Sequence, residues 1–200
     1  DDLKPKFSGI EKADSIVIDP HKSLFLPFGT GAFLIRDKHK LFESQHVIAD
    51  YMQDTLDARY ETSPADLSPE LTRHYRGLRV WMPLKLFGLK PFKAALEEKH
   101  HLCRYAWSEL NKIEGIKTPP EPDLSITFFR YVPDHGDAEK FNKALIQKIQ
   151  EDGRIFLSST RIEGVFHIRI AVLHFRTHLE EIDLTIELIK QYIGELERQS

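Results

Sequence analysis

The segment Asp14-Ser15-Ile16-Val17-Ile18-Asp19-Pro20-His21-Lys22 constrains this chain most. A short apolar strand runs directly into a Pro-His-Lys tripeptide. Lys22 therefore sits where a strand hands over to a loop, the place where α/β folds carry their chemistry. A lysine beside buried apolar surface loses hydration, and its ammonium deprotonates more easily. The neutral amine can then form a Schiff base with an aldehyde. The continuation Ser23-Leu24-Phe25-Leu26-Pro27-Phe28-Gly29-Thr30-Gly31-Ala32-Phe33-Leu34-Ile35-Arg36-Asp37 reads as a Gly-containing turn followed by a second apolar strand. Strands are expected over about 15–19 and 31–37, joined by a Gly/Pro loop.

A chain of 200 residues suits one domain, or one and a fraction. The net charge of −3 gives no sign of a nucleic-acid or membrane surface, and the 41% apolar share is enough for a core. A single cysteine, Cys103, excludes an internal disulfide and suits a reducing compartment. It lies in a helical pattern, so a packed thiol is expected. No apolar run approaches the ~20 residues of a membrane span. No signal peptide is visible, and the cytoplasm is the expected location. The abrupt start at Asp1-Asp2-Leu3 reads as the middle of a larger protein.

Residues 38–46 suit a short helix, and the polar stretch 50–67 suits a functional surface loop. Ser68-Pro69 reads as an N-cap with Pro at the first helical position, predicting a helix through Trp81 that kinks or breaks at Pro83. Arg73, Arg76 and Arg79 then recur along that helix as a basic stripe. Gly88 and Pro91 precede a long helix with Phe92, Leu96, Leu102, Ala106 and Leu110 on one face. The turn-rich bridge Gly115–Asp123 is the expected domain boundary. After it come strand 126–132, helix 138–151 closed by Gly153, strands 155–161 and 166–172 across Glu163-Gly164, and helix 179–196. This order predicts helices packed on an antiparallel sheet. Arg169, inside an alternating strand, needs an anion, either a ligand carboxylate or a structural Asp or Glu. The Gly29-Thr30-Gly31 turn offers either an anion nest or a plain hairpin turn. His100 and His101 are adjacent and cannot clamp one ion, so no metal is expected.

The string DSIVIDPHKSLFLPFGTGAFLIRD resembles the lysine segment of the group II pyridoxal-phosphate-dependent amino-acid decarboxylases. That family includes aromatic-L-amino-acid, tyrosine, glutamate and cysteine-sulfinate decarboxylases. The resemblance implies a fold class of α/β. Residues 1–114 would be the C-terminal part of a fold-type-I large domain, and 115–200 a small α+β C-terminal domain. It implies pyridoxal 5'-phosphate as cofactor, with Lys22 carrying it as a Schiff base and His21 near its phosphate. Gly29 and Thr30 would lie close to the active site. The ring-stacking His and the Asp that meets the pyridine nitrogen would lie before residue 1.

The run Glu70 to Trp81 resembles the family's Arg-containing helix, with Arg73 as the residue that helps hold the active site and Arg76 as a weaker match. The 50–67 stretch occupies the place of the family's mobile catalytic loop. Tyr60, or Tyr51 in its stead, would supply the proton to the carbon that loses CO₂. The strand around Arg169 resembles one whose arginine meets the substrate carboxylate. The implied activity is decarboxylation of an L-amino acid of aromatic type by a homodimer. The alternatives are a glutamate or cysteine-sulfinate decarboxylase, a related carbon–carbon lyase, or a catalytically incompetent C-terminal piece. Such a piece would expose the apolar faces around Ile16–Ile18 and Phe33–Ile35.

Overall fold

The computed structural model describes residues 3–45 and 63–199. The chain divides into two compact units, Asp1–Phe87 and Gly88–Ser200. The division falls at Gly88, ahead of the turn-rich bridge where the sequence placed it. The reason is the long helix Lys90–Leu110, whose Leu102, Cys103, Ala106 and Leu110 belong to the core of the second unit.

In the first unit β1 (Ser15–Ile18) leads into one helical turn, α1 (Pro20–Ser23), and returns through β2 (Ala32–Ile35). The strands pair antiparallel from Ser15↔Ile35 to Ile18↔Ala32. The Arg36 guanidinium reaches back to the carbonyls of Glu11 and Ala13 and fastens the preceding segment to the ribbon. Helix α2 (Lys38–Gln45) follows, as expected. The expected helix from Ser68 does not form there. The Ser-Pro start signal is used at Ser63-Pro64, which opens a short 3-10 turn, Pro64–Leu67. Ser63 Oγ accepts from the Ala65 amide at 3.3 Å, and buried Asp66 accepts from the Ser63 amide at 3.0 Å. Residues 68–77 are turns and bends, and the helix α3 spans Leu78–Phe87 with Pro83 inside it. The proline removes one backbone bond without ending the helix.

The second unit runs α4 (Lys90–Leu110), β3 (Ile116–Lys117), β4 (Ile126–Tyr131), α5 (Ala138–Asp152), β5 (Ser158–Ile162), β6 (Val165–Ala171) and α6 (Leu179–Glu197). The four strands form an antiparallel sheet in the order β3-β4-β6-β5. Alternate residues point to one face, and on that face Phe129, Ile168 and Ile170 are buried under the helices with Leu145, Ile149, Ile186 and Ile189. Each such side chain contributes about 1.5–3 kcal/mol on burial. Cys103 is fully buried, as its helical position predicted, and burial pushes its thiol up to about 12. Asp137 caps α5 by accepting from the amides of Glu139 at 2.7 Å and Lys140 at 3.2 Å, and Gly153 ends it at φ 76°.

Two buried polar side chains fasten helices in place. Asn142 of α5 accepts from the Tyr131 amide at 2.8 Å and donates to the Tyr131 carbonyl at 2.7 Å, so it finishes the ladder at the end of β4. Lys99 of α4 is 1% exposed, and its Nζ donates to the Thr177 carbonyl at 2.5 Å and to Glu98 at 2.8 Å. Glu98 also meets His178 Nδ1 at 2.6 Å, where α6 begins. The Lys99 ammonium and the His178 ring hold the Glu98 carboxyl below its ordinary range.

Two expectations follow for stability. Gly115 has φ +79°, and a Cβ there would stand 2.5 Å from the Tyr131 ring. Gly115→Ala is expected to cost about 1–3 kcal/mol, read as a lower urea midpoint at unchanged slope. An unchanged midpoint would show that the ring yields freely. Arg161 and Lys143 hold the Glu139 carboxyl down to about 2 from 4.5. A depressed carboxyl contributes stability above its unfolded value and loses it as pH falls through the folded one. The native chain should therefore lose more stability than Glu139→Gln as pH drops from 4.5 toward 2. Parallel stability–pH curves for the two proteins would contradict this.

Candidate cofactor and substrate site

Lys22 stands on α1, directly after β1. Pro20 takes the first helical position, where its missing N–H costs nothing. Phe25, at φ 57°, turns the chain out of the helical conformation, and the Leu26 amide donates to the Pro20 carbonyl at 3.2 Å. The Asp19 carboxylate accepts from Lys22 Nζ at 2.6 Å. The Lys22 ammonium holds the Asp19 carboxyl below its ordinary range. The expectation of a lysine dehydrated against apolar surface is not met: the Lys22 side chain is 62% exposed. The cause is geometric, because the two-stranded ribbon offers nothing that covers the amine, and Asp19 instead compensates its charge. The loop predicted after β1 is a helical turn.

His21 is fixed from one side. Its ring Nδ1 lies 2.7 Å from the Thr30 carbonyl, and its backbone amide donates to the same oxygen at 3.3 Å. A carbonyl can only accept, so Nδ1 donates to it and Nε2 points elsewhere. The Phe28 ring meets the imidazole edge-on at 5.8 Å.

The turn that supplies Thr30 is closed on itself. Thr30 is 1% exposed, and its hydroxyl donates to the Pro27 carbonyl at 2.7 Å. Gly29 adopts φ +79°, and Arg79 Nη1 donates to the Phe28 carbonyl at 2.9 Å. Of the two readings of this turn, an open anion nest and a structural turn, the geometry favours the second. The Thr30 hydroxyl spends its proton internally, and Gly29 and Thr30 shape the support beneath His21.

The three arginines do not share a helix face. Arg73 and Arg76 lie in the irregular segment, and Arg79 alone is in α3. Arg76 grips Glu70 with both terminal nitrogens, at 2.9 and 3.2 Å. Arg73 is exposed and has no side-chain partner among the described residues. Arg169, in the second unit, is partly buried on β6 with Nη1 3.3 Å from Ser158 Oγ. No carboxylate meets it among the described residues, so the structural ion pair weighed for it is not formed there. Tyr51 and Tyr60 lie outside the described residues. Sequence reasoning gave Asp19 no role and read Arg79 only as part of a basic stripe. Asp19 carried a usable signal, an acid three residues before the lysine on one helical turn. Arg79 carried none, because its partner is a distant backbone carbonyl.

Comparison with known proteins identifies the family. The profile of the pyridoxal-dependent decarboxylase conserved domain matches residues 2–132. An aromatic-L-amino-acid decarboxylase of Bacillus atrophaeus is 31% identical over 87% of this chain and 37% of its own length. An L-2,4-diaminobutyrate decarboxylase of Acinetobacter baumannii is 26% identical over 95% of this chain and 37% of its own. The chain thus spans 37% of the length of each of these relatives. The crystal structure of Oryza sativa TDC with PLP and tryptamine superposes on 98% of this chain and 42% of that one, at a TM-score of 0.88 and 21% identity. At that identity the likeness is one of fold, and it fits the fold-type-I expectation. The matched profile covers the β1–α1–β2 junction with Lys22, and on this ground the chain belongs to the pyridoxal-dependent decarboxylase family.

Proposed function

We propose that this chain supplies the cofactor lysine of a pyridoxal-phosphate-dependent amino-acid decarboxylase, a carboxy-lyase, and that the lysine is Lys22. The observation that carries the reading is a single exposed turn, inside the matched segment, that holds a primary amine and an oriented imidazole side by side. These residues fit the cofactor at its aldehyde end, since the Lys22 amine is accessible and its partner among the described residues is an exposed carboxylate that it can leave. When bound, pyridoxal phosphate supplies the electron sink through which an amino acid can lose its α-carboxylate as CO₂.

The chain's own residues then divide the work. Asp19 orients Lys22 Nζ and balances its charge. Thr30 fixes the orientation of the His21 ring, whose Nε2 would be left to meet the cofactor's phosphate end. Gly29, with the Arg79 guanidinium on the Phe28 carbonyl, holds the turn that carries Thr30. Arg73 and Arg169, neither with a carboxylate partner among the described residues, are the candidate guanidiniums for the substrate carboxylate. Tyr60, with Tyr51 as the alternative, is the candidate acid that returns a proton after CO₂ leaves.

An aromatic L-amino acid is the substrate we favour, supported by the relative at 31% identity. The diaminobutyrate decarboxylase at 26% keeps a non-aromatic substrate, such as glutamate or cysteine sulfinate, as the alternative. A homodimer and a cytoplasmic setting complete the reading. One observation favours a second reading, in which these residues work only when joined to further protein surface: Val17, Ile18, Phe33 and Leu34 of the ribbon are 40–71% exposed.

Incubation with pyridoxal phosphate, borohydride reduction and peptide mass mapping test the proposal. The added mass should sit on Lys22 and vanish in Lys22→Ala. Labelling spread over surface lysines would remove Lys22 from the role, and would leave the second reading in place if added protein surface restored selective labelling. In the same preparation Arg79→Ala should speed amide hydrogen exchange at His21 and Leu26, because the turn loses its outer clamp. Unchanged exchange would mean that the turn holds itself.

A further inference from the structure

The start of α6 is tied to α4 through one carboxylate that two basic side chains share. Lys99 Nζ donates to Glu98 Oε2 at 2.8 Å, and His178 Nδ1 lies 2.6 Å from Glu98 Oε1. A carboxylate only accepts, so both nitrogens donate to it. The Lys99 ammonium also donates to the Thr177 carbonyl at 2.5 Å, one residue before His178. Two links from α4 converge on the residues that open α6. A third link is local, where Glu181 Oε2 accepts from the His178 amide at 2.6 Å.

Burial is divided unevenly within this cluster. Lys99 is buried, and no second carboxylate bonds it among the described residues. The Glu98 side chain is 38% exposed and that of His178 58%, so water reaches both the carboxylate and the imidazole. The counter-charge of a buried ammonium is thus open to protons from solvent. An ammonium that loses its counter-charge costs far more in the interior than at the surface. In acid an imidazole is a cation. Once Glu98 is neutral, an ammonium and an imidazolium face each other across a carboxyl that compensates neither. The long Lys99 side chain can then swing toward water, and the Thr177 carbonyl is left without its donor. The rest of α6 has a different anchor, because Ile186, Ile189 and Ile193 are buried in the core and owe nothing to these charges.

We propose that the first turn of α6 is an acid-released latch, in which a proton on Glu98 frees residues 177–182 while the sheet and the remainder of the helix stay folded. The Lys99 ammonium, and then the His178 ring, hold the Glu98 carboxyl below its ordinary value of 4.5. A depressed carboxyl contributes its stability above that ordinary value and loses it as pH falls through the lower one, so the latch is closed in neutral solution and opens in acid. The Glu181 carboxyl is held down as well, first by the His178 amide, and is the second group at this end of the helix that acid can reach. This inference is independent of the decarboxylase reading and survives if that reading fails.

Amide hydrogen exchange on the whole chain tests it, read as protection at Ile182, whose amide donates to the His178 carbonyl, relative to Ile189 in the helix interior. The ratio cancels any loss of the whole fold in acid, the contribution of Glu139 included. It should fall by about tenfold between about pH 6 and about pH 3. Glu98→Gln should show the lowered ratio already at the upper end of that range and no step below it, whereas Glu181→Gln should keep the step. If Glu98→Gln proves unfolded by circular dichroism, Lys99→Met decides, because it removes the buried charge and should abolish the step. A ratio that stays constant with pH, a step retained in Glu98→Gln or Lys99→Met, or a step lost in Glu181→Gln would overturn the proposal.

Discussion

Among the described residues, strands β3 to β6 pair only with one another, and helices α4, α5 and α6 cover one face of the sheet they make. That one-sided burial governs residues 88–199. It forces apolar side chains onto alternate positions, as in Phe129, Ile168 and Ile170. It places Asn142 where it can close the ladder at the end of β4. It requires α6 to start at a fixed height, and the buried Lys99 sets that height by bonding the Thr177 carbonyl. It leaves partly buried side chains such as Arg130 and Arg169 on the opposite face of the strands.

The first unit depends on a smaller constraint. Its sheet is a two-stranded ribbon, and a ribbon of that size does not stabilise itself through packing. Its connection is instead held by backbone acceptors. The Thr30 carbonyl takes two donors from His21, the Pro20 carbonyl takes the Leu26 amide, and the Phe28 carbonyl takes Arg79. The geometry at Lys22 is therefore local and chain-encoded. A catalytic group placed by hydrogen bonds within one short connection keeps its place even where the surrounding apolar surface is open to water.

Much of this was legible in the sequence because the period of the side chains is itself the physical cause of the elements. The strands around Lys22, the strand pair across Glu163-Gly164 and the helices α4, α5 and α6 all appear where alternation or helical spacing predicts them. The two-residue strand β3 was not legible, because two residues have no period. The helix start at Ser68 was misread because Ser-Pro occurs twice, and the tie is broken by Asp66, which reaches back to the Ser63 amide. Pro83 was read as a kink or a break, and the chain continues as helix on both sides of it. The domain boundary was drawn at the most turn-rich stretch, whereas packing assigns α4 to the unit whose core it fills. Around the candidate site, the lysine and the imidazole were legible and their environments were not. Exposure is decided by residues distant in the chain.

Lys22 and Lys99 make that last point quantitative. Both lysines have a carboxylate within 2.8 Å, yet Lys99 is 1% exposed and the Lys22 side chain is 62% exposed. Lys99 donates to a backbone carbonyl as well, so its ammonium is committed and its role is structural. Among the described residues Lys22 has one acidic partner, on its own helical turn, a pairing that water screens and that is easily exchanged. An amine that is to leave its partner and take up an aldehyde, as proposed for Lys22, needs that looseness. Under that proposal, further surface laid over Val17, Ile18, Phe33 and Leu34 would exclude water from the amine. The apolar exposure of the ribbon and the accessibility of the lysine are thus two aspects of the same open site.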